Sequence, residues 1–296
     1  MPAGVPDAQM EELELGVQRA LDRGDAGDLD VLGYGEVTLV LRLACGGSSY
    51  ACKRLPVFPN AARFDQYRRT LERYLARLAG AGVTVAETSL WHTALPSGGV
   101  VAYCIQAELP GSRLCSRLLG DCDDAWAGDF IKRFTDIVER TVTPDLGLDA
   151  QAANWLDIDG ELVYVDVTTP LMRDAGGREL LDVPLFFTSL PWLIRAPVRM
   201  AASKSIFDKF YSARGVLVDF LGNLHKEGLG QRVPGFAAYA SERLDTPIGT
   251  DEVATYYRQD ARTWEVLQRL RRADRLWQRQ VRRRSYPFLL PPPISR

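Results

Sequence analysis

Residues 146–166 read Leu-Gly-Leu-Asp-Ala-Gln-Ala-Ala-Asn-Trp-Leu-Asp-Ile-Asp-Gly-Glu-Leu-Val-Tyr-Val-Asp. One acid, Asp149, stands five positions before an amide, Asn154, and a second acid, Asp166, closes an apolar run. Moving a phosphoryl group onto an alcohol calls for this set of groups. One carboxylate takes or orients the hydroxyl proton, and an amide with a second carboxylate serves magnesium. Magnesium demands oxygen ligands and keeps several waters, so two protein oxygens plus nucleotide phosphates suffice. Taken alone, the pattern is also what an Asp cap and an Asx-turn around an ordinary hairpin would give. The segments upstream decide between the two.

Gln106-Ala-Glu108-Leu-Pro-Gly ends the apolar strand-like run Gly99–Gln106 and reads as a connector whose backbone meets an adenine edge. Lys53 lies on an alternating strand, Tyr50–Leu55, where an ammonium can hold the α- and β-phosphates as a point charge. A solvated surface lysine is the plain alternative. Residues 61–79 carry Phe64, Tyr67, Leu71, Tyr74, Leu75 and Leu78 on one helical stripe. Glu72 belongs to that helix. Packed behind the strand it pairs with Lys53; otherwise it makes a surface bridge with the nearby Arg68 or Arg69. Gly33-Tyr-Gly35-Glu-Val-Thr38 fits a loop over phosphates, where missing side chains let backbone N–H groups approach oxygen, although a hairpin turn has the same composition. Each element is weak by itself. Their order and spacing together carry the expectation of nucleotide-dependent phosphoryl transfer.

At 296 residues the chain has room for two lobes with cores of their own. The expected divisions are an N-terminal extension over 1–30, with Met10, Leu13, Val17 and Leu21 at helical spacing; a strand-rich lobe over 31–107; and a helical lobe over 108–296 around one hairpin turning at Asp159-Gly160. Strands followed by helices point to an α+β fold. A net charge of −2 argues against generalised nucleic-acid affinity. Five cysteines without a C-x-x-C pair, and only His92 and His225, point to reduced thiols rather than a zinc site. No basic segment followed by an apolar core marks the N-terminus, and Leu185–Met200 is broken by Pro191, Arg195 and Pro197. A cytoplasmic location is therefore expected.

On these motifs the chain resembles the protein-kinase-like superfamily over roughly residues 31–170. Gly33-Tyr-Gly35 and Ala51-Cys52-Lys53 are similar to a eukaryotic-type kinase N-lobe. The Asp149…Asn154…Asp166 segment is nearer to the aminoglycoside and choline phosphotransferases. The resemblance implies a bilobal fold, with Asp149 catalytic and Asn154 and Asp166 on magnesium. It implies ATP held by Gly33, Gly35, Lys53, Glu72, Gln106 and Glu108, and a small-molecule hydroxyl as acceptor. A pseudokinase-type nucleotide-binding scaffold, or a kinase of peptides or proteins, is the alternative. The chain departs from the pattern at Gly147, where the family has histidine, at Leu148, and at Asp166-Val-Thr168, which lacks the glycine of D-F-G. No A-P-E-like segment follows.

Residues 258–296 hold eleven arginines and three acids, with Trp264, Leu267, Leu270, Trp277 and Val281 at helical spacing. A basic helix docked on the acidic body, or a solvated arginine face, is preferred there to nucleic-acid or anionic-membrane contact.

Overall fold

Strands come first and helices last in the computed structural model, which describes residues 5–34, 39–186 and 205–283. Helix α1 (Asp7–Arg23) precedes strands β1 (Val31–Tyr34), β2 (Leu39–Cys45) and β3 (Ser48–Arg54). Gly46 and Gly47, at φ 58° and 80°, make the tight β2–β3 turn, a backbone that only glycine adopts cheaply. Helix α2 (Ala61–Gly80) starts where the Asn60 side chain accepts the Arg63 N–H at 3.0 Å. Strands β4 (Thr84–Val85), β5 (Thr88–Ala94) and β6 (Val100–Ala107) follow. Five strands form one antiparallel sheet in the order β1-β2-β3-β6-β5. The strand-like piece 83–90 is split: β4 leaves to pair in parallel with the later hairpin, anchored by Ala86 N–H donating to Tyr164 at 2.9 Å.

The second part holds α3 (Cys115–Asp121), α4 (Asp124–Thr141) and the hairpin β7 (Trp155–Ile158) and β8 (Glu161–Tyr164). That hairpin turns on Asp159 and Gly160, both at positive φ. Helices α5 (Ala213–Lys226), α6 (Val233–Arg243) and α7 (Thr250–Leu276) complete it. The fold is α+β, strand-rich in the N-terminal part and helical in the C-terminal part. Most of the proline-broken segment 185–200 lies outside the described residues, as does Gly35.

Alternation along β6 explains how the sheet is covered on both sides. Val101, Tyr103 and Ile105 pack with Met10, Val17 and Leu21 of α1. Val100, Ala102 and Cys104 face the other way, against α2, in a cluster that runs on into Phe130 and Phe134 of α4 and Phe220 of α5. The Phe134 and Phe220 rings lie 4.3 Å apart. Period-two geometry also sends neighbours on β3 to opposite faces. Lys53 points to the α2 side, while Arg54, 8% exposed, turns to α1 and binds Glu14 through two bonds of 2.7 and 2.8 Å. Burial works to raise the Glu14 carboxyl, but Arg54, with Tyr103 and Gln18, holds it below the usual carboxylate range. A charge pair this buried persists only because its partners are complete.

Candidate functional site

A strand and two loops meet between the two parts of the chain. From β3 comes Lys53, whose Nζ sits 2.6 Å from Oδ1 of Asp166, the acid just beyond β8. Their side chains are 18% and 30% exposed, so the pair is reachable by solute while partly shielded from water. Burial tends to raise the Asp166 carboxyl. The Lys53 ammonium and the Thr168 hydroxyl and amide outweigh that and keep it ionised well into acid. Thr168, standing where D-F-G has glycine, donates its hydroxyl to the same Oδ1 at 3.1 Å.

Asn154 sits at the end of a one-turn 3-10 segment, Ala152–Asn154. Its amide donates to the Asp149 carbonyl at 3.0 Å, which turns the amide oxygen into its remaining acceptor. The Asn154 carbonyl accepts from Val165 N–H at 3.0 Å, which ties the Asn154 backbone to the residue just before Asp166. Asp149 is half-buried, and its carbonyl accepts a second bond from the Tyr164 hydroxyl at 3.2 Å. An amide oxygen and a carboxylate form a hard donor set with no nitrogen or sulfur, suited to magnesium completed by phosphate and water. No cluster of three or more His, Cys, Asp or Glu that would hold a metal alone occurs among the described residues.

Helix α2 ties these loops together through two residues that pattern reading treated as core. Tyr67 donates its hydroxyl to the Thr168 carbonyl at 2.9 Å, and Tyr74 donates to the Gly147 carbonyl at 3.1 Å. Burial pushes both phenols up, so they stay protonated donors. A buried tyrosine needs a partner for its hydroxyl, and that requirement was the available signal. Gly147 is tight: an added Cβ would lie 3.0 Å from both Leu171 Cβ and the Phe210 carbonyl. The histidine of the related pattern has no room there. Behind the loop, Glu227 at the end of α5 accepts the Ala153 N–H, while its Oε2 is buried with no hydrogen-bond partner among the described residues.

Two expectations are corrected. Glu72 does not pair with Lys53; its side chain is 58% exposed and accepts from Arg68 at 3.0 Å one turn back. The helix is rotated so that Tyr67 and Tyr74, rather than Glu72, face the cleft. Glu108 is also committed elsewhere. Its N–H donates to Ser49 at 2.9 Å, and its carboxylate is gripped by Arg42 at 2.7 and 2.8 Å, which lowers its pKa. Gln106 is likewise within the ladder, and its amide donates to Thr88 at 2.9 Å. Gly33 pairs with Val40 across β1 and β2, with open space at its Cβ position.

No curated relative matches the chain. Among solved structures it is similar to WaaP in complex with acyl carrier protein, at 12% identity over 79% of this chain and 92% of that one, TM-score 0.36. The kinase domain of PknI from Mycobacterium tuberculosis is 15% identical over 78% and 79%, TM-score 0.34. A thermostable mutant of aminoglycoside phosphotransferase APH(4)-Ia is 13% identical over 79% and 95%, TM-score 0.35. Over residues 12–275 the chain matches, and belongs to, the family described as a family of unknown function, DUF6206.

Proposed function

We propose that this chain is an ATP- and magnesium-dependent phosphotransferase acting on a hydroxyl of a small molecule. The observation that carries the proposal is the 2.6 Å pair of Lys53 and Asp166, which come from strand and loop 113 positions apart. Lys53 would grip phosphate oxygens as a point charge. Asn154 and Asp166 would hold magnesium, which when bound offsets charge on the β- and γ-phosphates. Asp149, presented by the same loop, would accept or orient the acceptor proton. With Glu108 and Gln106 committed to the sheet, a purine edge would be met from Leu109 onward. Lys53 must exchange part of its bond to Asp166 for phosphate when nucleotide enters.

A thermal-shift titration with ATP, with and without magnesium, tests this. Ligand binding to the folded state alone raises stability by RT ln(1 + [L]/Kd), about 2.7 kcal/mol at a hundredfold excess over Kd. The expected result is a magnesium-dependent rise that Asp166→Ala removes, with transfer to candidate alcohols lost in Asp149→Asn. One feature favours a second reading, a nucleotide-binding scaffold: Lys53 has no carboxylate from α2, since Glu72 points to solvent. A shift independent of magnesium, unaltered in Asp166→Ala, would establish that reading instead. No shift with any nucleotide refutes both.

A further inference from the structure

The C-terminal half of the last described helix exposes several apolar side chains and buries polar ones. Along α7 and the π-helical turn Trp277–Val281 that continues it, Val266, Trp277 and Val281 are 55%, 48% and 57% exposed. They stand eleven and four positions apart, three turns and one turn, so they form one stripe. Leu276 beside them is 54% exposed. Meanwhile Gln268, Arg271 and Asp274 are buried at 9%, 3% and 6%. Surface helices ordinarily do the reverse, hiding the apolar face and showing the polar one. The other exposed side chains carry an excess of positive charge. Residues 258–283 hold nine arginines against Asp260, Glu265 and Asp274, and Arg258, Arg262, Arg269, Arg282 and Arg283 are exposed.

We infer that this helix seats on an anionic lipid surface, its apolar stripe entering the headgroup boundary and its arginines meeting lipid phosphates. The pairing of the two features selects the occupant. Arginines alone would suit a nucleic acid, which gives no use for exposed Val266, Leu276 and Val281. The apolar row alone would suit a second copy of the helix, but that copy brings the same excess of positive charge. An interfacial helix uses both, and tryptophan favours that depth. Contact is in the plane of the membrane, since no described helix is long and apolar enough to cross one. The helix does dock on the body, through Val253, Gln268, Arg271 and Asp274, and its Trp277 side faces outward.

Flotation of the full chain with vesicles of phosphatidylcholine, alone or mixed with phosphatidylglycerol, tests the inference. Binding is expected to the mixed vesicles only and to fall with added salt, with a blue shift of tryptophan emission. Trp277→Glu with Val281→Glu should abolish it. Arg282→Gln and Arg283→Gln should each weaken it about fivefold. All four positions are exposed, so thermal unfolding of the variants should match the parent. The inference is overturned by any of three results: no binding or equal binding to both vesicle types, retained binding in the double Glu variant, or a dimeric mass in light scattering that the same variant makes monomeric. None of these outcomes depends on nucleotide, so the phosphotransferase proposal stands or falls separately.

Discussion

Glu227 holds its proton more tightly than a carboxyl ordinarily does. Burial pushes its carboxyl up to about 7, although the Lys226 charge and the Ala153 amide pull the other way. A carboxyl whose folded pKa exceeds its unfolded value binds its proton more tightly in the native state. Its contribution to stability is therefore complete below pH 4.5 and is lost as pH rises through about 7. Glu227→Gln keeps an acceptor for Ala153 but removes the charge. Urea denaturation at about pH 5 and about pH 8 should show the variant gaining on the parent by up to about 3 kcal/mol at the higher pH, and little at the lower. Sequence gave no hint of this residue, because its role depends on what α5 ends against. The meeting of Lys53 with Asp166 was legible for the opposite reason: the residue types and their order along the chain narrowed the choice of partners. Glu72 failed because an interval along a helix says nothing of its rotation about its own axis. Glu108 failed because pairing with β3 continues beyond the apolar run, through Ala107 to the Glu108 N–H.

At the scale of elements, α2 is a strut between two loops, fixed by Tyr67 at one and Tyr74 at the other. Gly147 lies at the foot of that strut, with side chain and backbone around its hydrogen too close for a methyl. Gly147→Ala should cost about 1–3 kcal/mol, the usual penalty for overpacking, read as a lower urea midpoint at unchanged slope. The helices α1, α2 and α4 were readable from their 3.6-residue stripes, and the β7–β8 hairpin from Asp-Gly. The separation of β4 from β5 was not, since two residues pairing with a distant hairpin leave no period to detect.

At the scale of the whole molecule, the main core ignores the division drawn at residue 107. It joins Val100, Ala102 and Cys104 from the sheet to Phe130, Phe134 and Phe220 from the helices. A fragment of residues 108–296 made alone would leave that apolar surface open. It should show helical far-UV dichroism, bind a hydrophobic dye and lack a cooperative thermal transition, whereas a sharp transition would mean that the helical part is self-sufficient. The smaller core under α1 is independent of it but not of the cleft. Glu14 and Arg54 satisfy one another behind the sheet, and Arg54 is the immediate neighbour of the amine that meets Asp166. Either member left alone would strand a charge in the interior, one peptide unit away from Lys53. Divergence within the family should therefore change these two positions as a couple, and a homologue whose leading helix has been lost or replaced should carry an uncharged residue directly after its lysine.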